Sequence, residues 1–155
     1  MKIFIALITL STFIFVGCAG SVVDPANKTL RERKSPTRLI KDETFKRPGG
    51  TRFIPGWAGV KRKSIINDEY KEKSFRYLRK RCGYSKSDFI QSRKVEYTKI
   101  TWEEVWLFQD SKSYRDDKIS GITIFFKYNP NNNKTSFAFY GACHTGKGTS
   151  FTTFD

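Results

Sequence analysis

Gly121-Ile122-Thr123-Ile124-Phe125-Phe126-Lys127-Tyr128, then Asn129-Pro130-Asn131-Asn132-Asn133-Lys134, then Thr135-Ser136-Phe137-Ala138-Phe139-Tyr140-Gly141-Ala142-Cys143: this stretch reads as strand, turn, strand. Ile122, Ile124, Phe126 and Tyr128 fall on one side of the first segment, because side chains alternate along a strand. Five Asn and Pro residues in six positions mark the turn, since both types suit tight backbone geometry. The aromatic second segment returns antiparallel to the first.

The pattern extends toward the N-terminus. Trp102 to Phe108 places Trp102, Glu104, Trp106 and Phe108 on one face and Glu103, Val105 and Leu107 on the other. Ser92 to Ile100 alternates too, with Val95 and Tyr97 opposite Lys94, Glu96 and Thr98. Ser111 to Lys118 is a polar connection. Residues 144–155, rich in Gly and Thr, are either a fraying tail or a fifth strand through Phe151 and Phe154.

One helix is expected over Asn67 to Cys82. Asn67 is placed to cap it, Asp68 and Glu69 occupy its first turn, Arg79, Lys80 and Arg81 its last, and Gly83 stops it. Ile66, Tyr70, Ser74, Tyr77, Leu78 and Cys82 share a face, with Phe75 at its edge. Lys73, Arg76, Arg79 and Lys80 lie largely opposite. The expected fold class is α+β: one helix packed on a small, mainly antiparallel four-stranded sheet, occupying residues 64–155.

Residues 18–63 are expected to form a flexible basic tether. Lys28, Arg31, Arg33, Lys34 and Arg38 crowd its first half, Pro48-Gly49-Gly50 breaks it, and Lys61-Arg62-Lys63 closes it. Few apolar residues recur at a fixed period, so little burial offsets the ordering entropy. Phe53-Ile54-Pro55-Gly56-Trp57 is the exception: a short arm docked on the domain, or a contact site for a partner.

At the chain's start, Lys2 leads an apolar run of about 14 residues, within the range of an export signal and short of the roughly 20 needed to cross a bilayer as a helix. Its close, Phe15-Val16-Gly17-Cys18, resembles the lipobox of bacterial lipoproteins. The resemblance implies a signal peptide over residues 1–17, a diacylglycerol thioether on Cys18, cleavage before it and acylation of the new terminus. Two or more acyl chains anchor stably where one is marginal. Ala19 after the cysteine matches the pattern by which enteric-type lipoproteins reach the outer membrane. An ordinary cleaved signal (a secreted protein) and an uncleaved inner-membrane anchor are the other readings.

Cysteine usage agrees with export. There are three cysteines, an odd count. With Cys18 lipidated, Cys82 and Cys143 remain as a disulfide pair in an oxidising compartment; the other reading is two buried thiols. The 155-residue chain carries 29 Lys and Arg against 15 Asp and Glu, a net charge of +14. From Lys28 to Lys99 there are 22 basic and 8 acidic residues, whereas from Ile100 to Asp155 there are 6 of each. The front is basic and the back neutral.

Catalytic chemistry has little to draw on. His144 is the only histidine and adjoins Cys143, but neighbours on a strand point to opposite faces. Glu103 and Glu104 fail as a carboxylate pair for the same reason; one is expected on the solvent face and the other near an edge or salt bridge. Asp116-Asp117 reads as solvated. Two widely spaced cysteines and one histidine make no tetrahedral metal set. His144-Thr145-Gly146-Lys147-Gly148-Thr149-Ser150 lacks P-loop spacing. No enzymatic activity, cofactor, small-molecule substrate or nucleic-acid partner is expected.

The basic front suggests binding. An exported lipoprotein faces headgroup phosphates, wall carboxylates and acidic proteins. The expected function is a lipid-anchored cell-envelope protein of the outer membrane, facing the periplasm, that binds an anionic envelope component or acidic protein partner through Lys28, Arg31, Arg33, Lys34, Arg38, Lys61, Arg62 and Lys63. The alternatives are an assembly subunit docking through an aromatic sheet face at Trp102, Trp106 and Phe108, and an inhibitor or minor enzyme of the cell wall.

Overall fold

A computed structural model of the chain describes residues 20–143. Within them the hairpin forms as strands β6 (Ile119–Asn129) and β7 (Lys134–Tyr140), paired as Ile124 with Phe139 and Phe126 with Phe137. The amides of Asn131 and Lys134 donate to the side-chain oxygens of Asn129 and Asn132, and Asn133 takes a left-handed φ of 54°. Strand β5 (Thr101–Gln109) lies on the other side of β6 and sets Trp102, Glu104 and Trp106 against Phe126, Ile124 and Ile122. Strand β4 (Phe89–Tyr97) follows, and a two-residue strand β3 (Val60–Lys61) pairs only with Arg93 and Lys94. The sheet order is β3-β4-β5-β6-β7, antiparallel throughout.

Helix α2 (Asp68–Cys82) covers one face of this sheet. The Asn67 side chain accepts from the Tyr70 amide at 2.9 Å, and Gly83, at φ 78°, sends its N–H back to the Arg79 carbonyl. Both ends are thus satisfied by the residues the pattern singled out. Tyr70 meets Phe137 edge-on at 4.9 Å, Tyr77 stacks on Phe139 at 4.6 Å, and Phe75 tilts against Trp106 at 4.9 Å. Trp106, Phe108, Ile124 and Phe126 are buried beneath it, at about 1.5–3 kcal/mol per large apolar side chain. A disulfide from Cys82 to Cys143, with Cα atoms 4.9 Å apart, fastens the helix end to the chain beyond β7.

The expected fold needs correction. The described residues contain two helices and seven strands in two antiparallel sheets, of two and five strands, and are mostly β; they are not one helix on a four-stranded sheet. The physical reason lies in β5. Every residue from Glu103 to Phe108 is buried, so both of its faces are covered. The second cover comes from the segment expected to be a tether. That segment contains helix α1 (Gly20–Glu32) and a two-stranded sheet of β1 (Thr37–Lys41) and β2 (Phe53–Trp57), paired from Thr37 with Trp57 to Lys41 with Phe53. Ala58 is buried against Val105 and Leu107, with Trp57 packed beside them. Trp57 lies so close to β6 that a Cβ on Gly121 would collide with its ring, and the Arg115 guanidinium covers the ring at 4.5 Å.

Helix α1 is tied to this layer by one side chain. The Asn27 amide donates to the Leu39 carbonyl at 3.0 Å while its oxygen accepts from the Leu39 N–H at 2.8 Å. Asn27 thereby occupies the edge of β1 as another strand would.

Three loop carboxylates make stability depend on acidity. Asp42, bonded by the Thr44 hydroxyl and amide and by Arg52, is held below the ordinary carboxylate value. Ser85 does the same for Asp88, and Arg115 for Asp117. The unfolded chain, with values of about 3.9, binds more protons than the folded one over this range. The stabilisation is complete above that value and is lost as pH falls through the lower folded values. Thermal unfolding followed from about pH 6 to about pH 2 will show a falling midpoint below about pH 4. A flat profile would contradict the assignment.

Candidate anion-binding cleft

After β3 the chain leaves the sheet edge. The Arg62 N–H donates to the Ser92 carbonyl, and the Ser92 hydroxyl donates back to the Arg62 carbonyl at 2.5 Å. The chain then crosses toward β5, where the Ile65 N–H reaches Glu104. This crossing, the first half of α2 and the start of β4 enclose a cleft of about 690 Å³. Phe75, Phe89 and Trp106 form its apolar floor. Their rings interlock, with Phe75 at 5.5 Å from Phe89 and Phe89 at 5.3 Å from Trp106.

Five cations surround this floor: Lys61, Arg62, Lys63, Lys71 and Lys86, with Ser64, Gln91 and Ser92 adding polar groups. Among the described residues no carboxylate, imidazole or thiol lines it. Lys71 pairs with the exposed Asp68 at 3.1 Å, and Lys86 pairs with the exposed Glu72. Exposed pairs of this kind are worth about 0–1 kcal/mol, so an incoming anion can displace them. Among the described residues Lys61, Arg62 and Lys63 make no ion pair, and all three are exposed. The arrangement can hold an anionic group at the rim while an apolar group lies on the aromatics.

The eight basic residues singled out from sequence are distributed over three places. Lys61, Arg62 and Lys63 line the cleft. Lys28, Arg31 and Arg33 are exposed on and just beyond α1. Lys34 and Arg38 turn inward. Lys34 forms an ion pair with the buried Glu103 and sits 4.9 Å from the Phe125 ring. The Arg38 guanidinium donates to the Ser35 and Thr37 carbonyls at 2.7 Å each, and burial lowers its pKa. Lys71 and Lys86 were not singled out, although Lys71 stands one helical turn before Phe75.

Of the two glutamates of β5, Glu103 has the salt bridge expected of one of them, but neither has the expected solvent face. They do point to opposite faces. Glu103 is 3% exposed and meets Lys34. Glu104 is fully buried and accepts from the Tyr97 hydroxyl at 2.6 Å, the Trp106 indole N–H at 3.0 Å and the Ile65 amide. Burial and the bond to Glu104 push the Tyr97 hydroxyl well above its ordinary value. Glu104 thus ties the cleft's crossing segment and its floor tryptophan to one carboxylate. Asp116 and Asp117 are exposed, Asp117 paired with Arg115 at 3.0 Å. Trp106 and Phe108, two of the three aromatics on which sheet docking would rest, are buried under α2, and Trp102 is half-buried.

Cys18 and the lipobox-like residues, His144 and the following loop, and Phe151 and Phe154 lie outside the described residues. No helix among the described residues is long and apolar enough to cross a membrane. Comparison of the chain with protein-family models, with curated proteins and with solved structures finds no match.

Proposed function

We propose that this chain is a lipid-anchored bacterial cell-envelope protein, held through Cys18 at the outer membrane and facing the periplasm, that binds an anionic envelope component or an acidic protein partner. The observation that carries the reading is the rim of Lys61, Arg62 and Lys63, exposed and without ion pairs among the described residues, above the floor of Phe75, Phe89 and Trp106. Three further features support it. The lipobox-like close of the apolar run supplies the anchor. The Cys82–Cys143 disulfide suits an oxidising compartment. The net charge of +14 favours encounter with any anionic surface.

The test uses the detergent-solubilised full-length chain. Lys61→Glu, Arg62→Glu and Lys63→Glu are combined, and binding to cell-wall fragments and to polyglutamate is measured across a salt series. Native affinity will fall steeply with salt. The triple variant will bind about a hundredfold more weakly at low salt, at about 1 kcal/mol per basic residue, with its thermal midpoint unchanged. Equal binding by both proteins, or no salt dependence in either, rejects the reading.

A further inference from the structure

The cleft's surroundings narrow the class of anion. Cations above an aromatic floor match a ligand that is charged at one end and hydrocarbon at the other. The alternative, an extended peptide added along β4, meets an obstacle. The register of β4 is irregular between Phe89 and Gln91, where such a strand would have to pair. The five cations of the lining are donors and offer no acceptor to a peptide's N–H groups, whereas an acyl chain asks for none.

We infer that the cleft binds one anionic phospholipid of the bilayer surface, its phosphate against Lys61, Lys63 and Lys71 and the upper part of an acyl chain on Phe75 and Phe89, close above the buried Trp106. The inference rests on the proposed binding of an anionic partner and names that partner. The remaining rim cations then pair with neighbouring phosphates. The exposed pairs Lys71–Asp68 and Lys86–Glu72 open as the phosphate arrives.

The experiment reconstitutes the full-length chain into bilayer discs of phosphatidylcholine containing either brominated phosphatidylglycerol or brominated phosphatidylcholine. Tryptophan fluorescence reports proximity, because bromine on an acyl chain quenches only nearby rings. Any lipid on Cys18 anchors the protein equally in both, so the anchor cancels. Brominated phosphatidylglycerol will give half-maximal quenching at about tenfold lower mole fraction than brominated phosphatidylcholine. Trp106→Phe removes the difference. Lys63→Glu with Lys71→Glu abolishes the preference, and Lys61→Glu with Arg62→Glu repeats the result on residues outside the helix. Equal quenching by the two lipids overturns the inference. If an acidic, aromatic-containing peptide shields Trp106 while the lipids do not discriminate, the occupant is a peptide: the lipid assignment falls and anionic binding stands. If lipids, peptide and cell-wall fragments all leave the protein unaffected, both fall.

Discussion

Replacing Cys143 by serine, or reducing the Cys82–Cys143 bridge, will lower the unfolding free energy by about 4 kcal/mol. The bridge spans 61 residues of chain, and a loop of that length restrains the unfolded ensemble strongly. Its position adds to the effect. Cys82 ends α2 and is 2% exposed within the cluster that holds Leu78, Trp106 and Phe139. Cys143 lies three residues past the end of β7, where no sheet pairing holds the chain. For a domain whose total stability is of the order of 5–15 kcal/mol, the loss is a large fraction. Urea unfolding with and without reductant measures it directly. A shift of less than about 1 kcal/mol would mean that helix and strand packing alone fix this end of the fold.

Lys34→Ala will cost about 3 kcal/mol, more than a surface ion pair permits. Its partner Glu103 is 3% exposed, and one of that carboxylate's oxygens already has no hydrogen-bond partner. Removing the ammonium strands a buried charge on β5. The side chain of Lys34 keeps 27% of its exposure, so water relieves part of the penalty and the lower end of the range for buried pairs applies. Combining Lys34→Met with Glu103→Leu will recover most of the loss, since it removes both charges and keeps the apolar volume. The cycle also tests the second layer, because the pair joins residues 69 apart and links the basic front to the sheet. A single variant within about 0.5 kcal/mol of the parent would show that the front adds nothing to stability.

What the sequence discloses depends on whether the signal is local. Asn67, the paired charges of the first and last turns, and Gly83 state the bounds of α2 within one stretch of chain. The asparagine-rich turn and the alternation of β5 and β6 do the same for the hairpin face. The β1–β2 sheet has no such signature. Its strands are five residues each, carry Arg38, Lys41 and Pro55, and find each other across the Pro48-Gly49-Gly50 break. A clue lay elsewhere: Val105 and Leu107 face away from α2 and demand a cover. Strand β3 has two residues, too few for any period. The cleft divides the same way. Lys61-Arg62-Lys63 is conspicuous as charge, but Phe75, Phe89 and Trp106 come from three elements and meet only after folding. Burial of Glu103 and Glu104 is likewise a tertiary fact, since alternation assigns a side chain its face but not what lies over it.

Helix α1 bears on valency. A coil of several tens of residues between lipid and domain would let the domain wander by about 5–6 Å times the square root of its length, diluting any second contact with the bilayer. The chain is instead helical from Gly20, and Asn27 fixes that helix to β1. Thirteen helical residues rise only about 20 Å. If Cys18 carries the proposed acyl chains, the helix begins only two residues from the anchor. The proposed encounter of the cleft with a headgroup would then be intramolecular, at an effective concentration of roughly millimolar or above, so a weak site would suffice for steady occupancy.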